Sequence, residues 1–468
     1  MQNIWRIPLS LMLYLIVALS SPGAAAAKTG EYLIGIFGIP EGNFEELRKA
    51  GINALLVRDF ELQRAKGLNL KKIYVMGIHP GAIKKGLSEA KLEERLKFFK
   101  GAGDAYDYYL GDDLNCKHVS RINSIKQHLG VKRGIVGVLQ GLECYPEEDI
   151  LKYHYPLMRR KMTLSEMLLK QVGMAHDIHA SNRKLYICPQ AHLQLWYLET
   201  IKNSNMSDRA KLYPDGQVTR MLIYYALATN ADGYFLYDYK GLSGEWARER
   251  LLGAAQAILE TKPLTRGLAK ATDGAFFQKA GVFGTKISGA DYDLFFVFNA
   301  DYLTHYHPTT NNVKVNLNDV VTPKTYKAVY KYSPLGSKPV TGTMEIPQDH
   351  ALILVGFKDS PVVESLKLDA ASLALYAEIL QARADKLSAN LTFMGMSVPR
   401  LKMLSSPQTA GIESILKYID ELNELKRNDW LKRTAGQLPL DGDVPNRLYW
   451  KRLPLIAQKN QLFNFYYR

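Results

Sequence analysis

Asp112 and Asp113 stand side by side at the end of the run YDYYLGDD, residues 106–113, just after three tyrosines. Neighbouring carboxyl groups repel each other's charge, and burial beside aromatic rings adds a desolvation cost, so such a pair pushes one pKa up toward neutrality. A carboxyl tuned in this way can hand a proton to a leaving oxygen near neutral pH. Asp113 is the first candidate for that general acid, with Asp112 the alternative. Successive strand residues point to opposite faces, so one of the two faces a cavity while the other caps the next helix or accepts from loop amides.

Acid-base chemistry at a leaving oxygen commonly works through a second carboxyl group as base or nucleophile. Asp238, in DGYFLYDY, and Glu143, after RGIVGVLQG, are the candidates, and Asp59 at the end of ALLVRDF competes with them. Each also reads as an ordinary binding or structural acid. Around them fall His79 (KKIYVMGIHP), Tyr109, His154 and Tyr155 (DILKYHYPLM), Gln190 and His192 (KLYICPQAH), Trp196 (HLQLWYLET) and Tyr237. This mixture of imidazole, phenol, amide and carboxylate groups suits a polar ligand. Trp196 offers a flat π surface for a ring of the ligand to stack on, or packs against its own loop. The histidines lack the close spacing of a metal set, so neither a metal nor an organic cofactor is expected. No GxSxG elbow occurs, which argues against a Ser-His-Asp hydrolase.

The elements that must hold these groups alternate between short apolar runs and helical patterns from residue 32 to about 260. YLIGIFGIP reads as a first strand, and NFEELRKAGIN as a helix capped by Asn43 and stopped at Gly51. ALLVRDF, KKIYVMGIHP, AYDYYLGDD, RGIVGVLQG, DILKYHYPLM, KLYICPQAH and DGYFLYDY complete eight strands, with only a short link between the fifth and the sixth. That count and length fit a (β/α)8 barrel over residues 28–265. An open doubly wound sheet would carry a GxGxxG turn after its first strand, and GIFGIPEGN does not. In a barrel of this kind the reactive groups sit at the C-terminal ends of the strands, so every residue named above would face one mouth. Alternating runs between Pro, Gly and Asn turns then predict a small antiparallel β-sandwich over 266–360, and residues 361–468 read as helical. The C-terminal helices either pack on the barrel or lie against a partner.

The first 27 residues place Arg6 before an apolar run that ends in alanines, the layout of a secretory signal peptide. An exported chain, periplasmic or extracellular, is expected, without an integral membrane span. Cys116, Cys144 and Cys188 allow at most one internal disulfide, and Cys188 reads as small apolar filling inside the seventh strand. A net charge of +14 suits an acidic partner, a polyanionic glycan such as a uronic-acid-containing one, or a membrane surface. No basic run interleaved with aromatics points to nucleic acid. Oligomeric state is not legible.

From GINALLVRD through YDYYLGDDL, DILKYHYPL, LYICPQAH and GYFLYDY to the sandwich, residues 32–358 resemble the glycoside hydrolase-like (β/α)8 barrels of exported bacterial proteins. The resemblance implies hydrolysis of a poly- or oligosaccharide by carboxylate acid-base catalysis. The chain departs from the family pattern in two places. Many members end the fourth strand in Asp-Glu-Pro where this chain has Asp112, Asp113 and Leu114, and others carry a glutamate on strand seven where Gln190 stands. These departures keep a non-catalytic carbohydrate-binding protein on a degenerate glycosidase barrel in play.

Overall fold

The computed structural model describes residues 31–38, 44–58, 61–68, 70–76, 90, 93–94, 107–138, 140–154, 163–189, 216–237, 245–299, 312–347, 350–393, 395–399 and 409–434. Asp59, His79, Tyr155, Gln190, His192, Trp196 and Asp238 lie outside them, as does the side chain of His154.

Eight parallel strands close into a barrel in sequence order: β1 (Leu33–Phe37), β2 (Ala54–Arg58), β3 (Lys72–Met76), β4 (Asp107–Leu114), β5 (Ile135–Val138), β6 (Asp149–His154), β7 (Leu185–Pro189) and β8 (Gly233–Tyr237), with β8 pairing back onto β1. Both faces of such strands are covered, which is why β1 reads LIGIF and is buried throughout. One face of each strand fills the barrel and the other meets the helices outside. Leu33, Phe37, Leu56, Tyr74, Tyr109, Leu151, Tyr153, Tyr186 and Phe235 form the inner cluster. The lumen is packed with aromatic rings in two tiers. Tyr74 and Tyr186 each pack edge-on against Phe235 at 5.6 Å between ring centres. Above them Phe37 meets Tyr109 at 6.2 Å and Tyr237 at 4.8 Å, and Tyr153 meets Tyr237 at 5.8 Å. The upper tier forms the floor of the C-terminal mouth.

Six helices of the barrel region are described: α1 (Phe44–Ala50), α2 (Leu62–Lys66), α3 (Val119–Leu129), α4 (Leu164–Ala180), α5 (Gly216–Ala228) and α6 (Glu245–Thr261). Thr163 caps α4 reciprocally with Glu166, satisfying two orphan amides of its first turn. Gly51, at φ +133°, ends α1 where the sequence places the stop. Between β5 and β6 there is no α-helix, only the single turn Leu142–Cys144. That missing helix leaves the β5 loop short and close to the end of β4.

Beyond the barrel, β9 (Asp273–Lys279), β10 (Val282–Ser288), β11 (Tyr292–Asn299), β13 (Ala328–Lys331), β14 (Lys338–Pro339) and β16 (His350–Phe357) build an antiparallel sheet. β12 (Val313–Asn316) and β15 (Thr343–Ile346) form a ribbon whose Val315, Met344 and Ile346 bury against Val297, Leu352 and Leu354 of that sheet. The opposite face rests on the barrel helices, with Phe298 5.9 Å from Tyr225 of α5 and Thr285 donating to the Ala228 carbonyl at 2.7 Å.

The C-terminal helices α7 (Ala370–Phe393) and α8 (Thr409–Thr434) pack on the barrel: α7 lies against α6 and α1, and α8 lies against α7. Their apolar residues join the same core as the barrel helices. The seam holds a buried polar network. Glu260 of α6 accepts from Arg220 Nε at 2.6 Å, Gln256 at 2.8 Å, Tyr376 at 2.6 Å and the Tyr224 hydroxyl. Burial alone would raise this carboxyl, but Arg220 and the hydroxyl donors hold it below the usual range. Next to it Arg383 of α7, fully buried, donates to Glu249 at 2.9 Å and to Gln256.

A buried ion pair broken on one side leaves an uncompensated charge. Arg383→Met should therefore cost about 3–5 kcal/mol in denaturant unfolding. The double variant Arg383→Met, Glu249→Leu should recover most of that loss. A single variant as stable as the parent would show that the seam does not depend on this pair.

Candidate active site

The end of β4 is irregular. Tyr109 pairs with Ile135, Gly111 with Val136 and Leu114 with Val138, so β4 inserts an extra residue twice against β5. Bulges bend a strand and re-aim its side chains. In a regular strand residues three apart face opposite sides, and alternation from Tyr109 would turn Asp113 inward. Here the insertion brings Asp112 over Tyr109 instead. Asp113, beside it, takes a left-handed conformation at φ 54°, which a non-glycine residue adopts at some cost.

Three donors converge on one oxygen of Asp112. The Tyr109 hydroxyl reaches Oδ1 at 2.8 Å, the Asp113 amide reaches it at 2.9 Å, and the Tyr153 hydroxyl of β6 also donates to it. The two hydroxyls lie 3.1 Å apart. All three bonds fall on Oδ1, which leaves Oδ2 without a donor among the described residues. Burial raises the Asp112 carboxyl and the charge of Asp113 raises it further. The hydrogen bonds from Tyr153, Tyr109 and the Asp113 amide oppose this, and the balance stands at about 7. The same burial lifts the Tyr109 phenol well above its ordinary value and keeps it protonated, hence a donor. Cys188 of β7 is buried close by as a free thiol, also pushed up by burial and by Asp112.

Gly137 of β5 makes the cluster possible. A Cβ at this position would lie 2.2 Å from the Tyr109 hydroxyl oxygen and 2.5 Å from Asp112 Oδ1. A glycine inside the apolar run IVGV is the sequence signal of such a close approach.

The rim beside Asp112 is cross-linked. Cys116, just past β4, is disulfide-bonded to Cys144 in the β5 loop. The Tyr145 hydroxyl donates to the Asn115 carbonyl at 2.7 Å, and Gly141 lies against the disulfide, where a Cβ would come within 2.4 Å of Cys116 Sγ. Asn115 caps the following turn in a reciprocal pair with His118. Glu143 is exposed on this rim with Oε1 4.0 Å from Cys116 Sγ. Cys116, Glu143 and Cys144 come close enough together to share a metal ion, but the disulfide takes both sulfurs.

The structure thus brings together Asp112, Tyr109, Tyr153 and Tyr237, with Asp113 and Glu143 on the adjoining rim. The parts played by Tyr153 and by Gly137 are not legible in the pattern of strand ends. A further acid was also missed. Glu61, 7% exposed, follows β2, and its Oε2 accepts from the Arg58 amide at 3.1 Å. Its Oε1 is 3.6 Å from where a Cβ of Gly38, the residue after β1, would lie. It therefore sits at the same end of the barrel as Asp112. Its only sequence signal is its position just after DF in VRDFELQ.

No protein-family model matches the chain, and no curated protein does. In solved structures it is similar to a GH30 endoxylanase from Clostridium papyrosolvens C71, at 10% identity and TM-score 0.39, over 71% of this chain and 98% of that one. It is also similar to a noncanonic maltogenic α-amylase from Thermotoga neapolitana, at 11% identity and TM-score 0.43, over 70% and 99%. An α-amylase from Geobacillus thermoleovorans, solved with acarbose, stands at 11% identity and TM-score 0.43, over 68% and 91%. At these values the likeness carries no argument about chemistry. The barrel rests on its own strand pairing.

Two measurements check the site. Burial and the charge of Asp113 push the folded Asp112 carboxyl up to about 7 from an ordinary 3.8, so its ionised form is the one that folding disfavours. The stability it contributes is present at low pH and is lost as pH rises from about 4 to about 7. Asp112→Asn should flatten the pH dependence of unfolding in that window and stabilise the protein at pH 8 by roughly 2–4 kcal/mol. A less stable variant at pH 8 would contradict the assignment. Gly137→Ala should disrupt the cluster, costing about 1–3 kcal/mol by overpacking and lowering the Asp112 titration point. Unchanged stability and titration would mean that β5 does not crowd the site.

Proposed function

We propose that this chain is an exported glycoside hydrolase that cleaves a poly- or oligosaccharide at the barrel mouth, with Asp112 as the group that carries the proton. The observation that supports this most is the placement of Asp112 on two tyrosine hydroxyls above the aromatic tier, with a titration point of about 7. Near neutrality a useful fraction of Asp112 is protonated, and Oδ2 can present that proton to a glycosidic oxygen. Once the proton has left, the carboxylate charge is met by Tyr109, Tyr153 and the Asp113 amide, which need not move to receive it. The half-buried Tyr237, which meets Tyr153 and Phe37 edge to face, offers a face for a sugar.

For the second carboxylate we favour Asp238, whose chain neighbour Tyr237 belongs to that ring cluster, with Glu61 as the competitor. A retaining mechanism calls for a separation of about 5 Å, an inverting one for about 6.5–9.5 Å. Gln190 on strand seven and Leu114 after the aspartates support a second reading, that the chain binds carbohydrate without cleaving it. The net charge of +14 supports an anionic glycan as the ligand in either case.

Turnover of a glycan panel tests the reading. Asp112→Asn should lower turnover about 10²- to 10⁴-fold and leave binding intact, while Asp113→Asn should have the smaller effect. If the unmodified protein hydrolyses no glycan that it binds, the binding-protein reading replaces this one. Binding itself should weaken as salt rises from about 0.1 M to 1 M and the screening length shrinks from about 10 Å to 3 Å. Equal affinity at both concentrations would remove the anionic ligand.

A further inference from the structure

The Cys116–Cys144 disulfide ties the bulged end of β4 to the β5 loop at a point four residues beyond Asp112. Strand pairing of Leu114 with Val138 also joins this rim, and Lys126 of α3 donates to Glu147 at 2.9 Å and Glu148 at 2.7 Å in the same loop. The Tyr145 hydroxyl bonds the Asn115 carbonyl at 2.7 Å, and the Gln140 amide approaches the Leu114 carbonyl at a long 3.5 Å. Asp113, between the disulfide and Asp112, holds an unfavourable left-handed conformation that its surroundings must enforce. Its amide is one of the three donors to Asp112. The covalent link is one constraint on the backbone that orients Asp112, and it is the one that a reductant can remove.

Cys116 is exposed and Cys144 half-buried, so a reductant can reach the bond. Glu143 Oε1, 4.0 Å from Cys116 Sγ, sets a negative charge beside the bond, in the space that an anionic thiol must enter. With both sulfurs in the disulfide there is no thiol proton for that carboxylate to accept, so the contact is electrostatic. We propose that Cys116 and Cys144 are positioning residues for Asp112, that opening their disulfide with a dithiol releases the site, and that Glu143 shields the bond from anionic thiols. In the reaction, one thiolate of the dithiol attacks Cys116 Sγ, and the S–S electron pair leaves on Cys144 Sγ, which takes up a proton. The second thiolate then attacks the mixed disulfide, expelling the Cys116 thiolate and closing the reductant into its own disulfide. The protein gains two thiols and the dithiol loses two hydrogens.

The activity part of this inference rests on the proposed hydrolysis, but the positioning part does not. The groups that face Asp112 among the described residues are Asp113, Tyr109 and the Asp113 amide from β4, Tyr153 from β6 and Cys188 from β7. None of them is a partner in the disulfide. A change in Asp112 titration on reduction would therefore report its placement and not a lost charge.

The test uses the native protein, oxidised, reduced with dithiothreitol under non-denaturing conditions, and re-oxidised. Its readout is the pH step in unfolding that Asp112→Asn abolishes. In the oxidised protein the step should lie near pH 7. Reduction should move it at least about one unit toward the ordinary carboxylate range as water enters, and re-oxidation should restore it. A melting point that falls on reduction while the step stays in place would show that the disulfide only braces the fold, and would overturn the proposal. Glu143→Gln should speed reduction by an anionic thiol such as glutathione about three- to tenfold at low salt. No acceleration would remove the shielding role. On a glycan that the oxidised enzyme turns over, reduction should lower turnover by at least about tenfold. If no glycan is hydrolysed, the proposed function fails while a shifted titration still stands for the positioning role.

Discussion

One carboxylate held in a crowded place organises the mouth of this barrel. Asp112 can rest on Tyr109 and Tyr153 only because β4 bulges and β5 offers a glycine, Gly137, at the point of contact. Burial makes its charge costly, and the negative Asp113 beside it raises the cost again. Two hydroxyls and an amide make the charge tolerable without making it cheap. The outcome is an acid poised near neutrality, which a fold selected for stability alone would replace with a neutral side chain. That cost is the physical reason to read the place as a site of chemistry.

The remaining structure keeps this arrangement from relaxing. Beneath it, the aromatic tiers fill the lumen, so that Tyr109 and Tyr153 are set by packing against Phe37 and Tyr237. Beside it, the absence of a helix between β5 and β6 draws the β5 loop in, and Cys116–Cys144 fastens it. Farther out, the six-stranded sheet and α7 close over α5 and α6, and the network centred on Glu260 fixes their register through hydrogen bonds too specific to slide. The antiparallel sheet and the C-terminal helices share one core with the barrel helices and are not separate appendages.

Much of this was legible in the residues. Runs such as LIGIF, ALLVR and LYICP are apolar on both faces, which only a covered parallel sheet explains, and their spacing with helical segments gives the barrel. The crowded pair of aspartates at the end of a tyrosine-rich strand was also visible. Which aspartate meets the tyrosines was not, because alternation is a local rule and the double bulge is imposed by pairing with β5. The involvement of Tyr153 and the proximity of Glu61 depend on residues far away in sequence, as does the pairing of Cys116 with Cys144 across 28 residues. The docking of α7 through Arg383 likewise needs a partner, Glu249, more than a hundred residues earlier. Local pattern predicts elements; it does not predict which of them meet.

The most direct test is a carboxyl-carbon NMR titration of Asp112 in the folded, oxidised protein, with its resonance assigned by comparison with Asp112→Asn. The account predicts a single carboxyl that titrates near pH 7 and vanishes in the variant. An Asp112 resonance that titrates near the ordinary 3.8 would mean that the carboxyl is not held as described, and that it cannot carry the proton near neutrality.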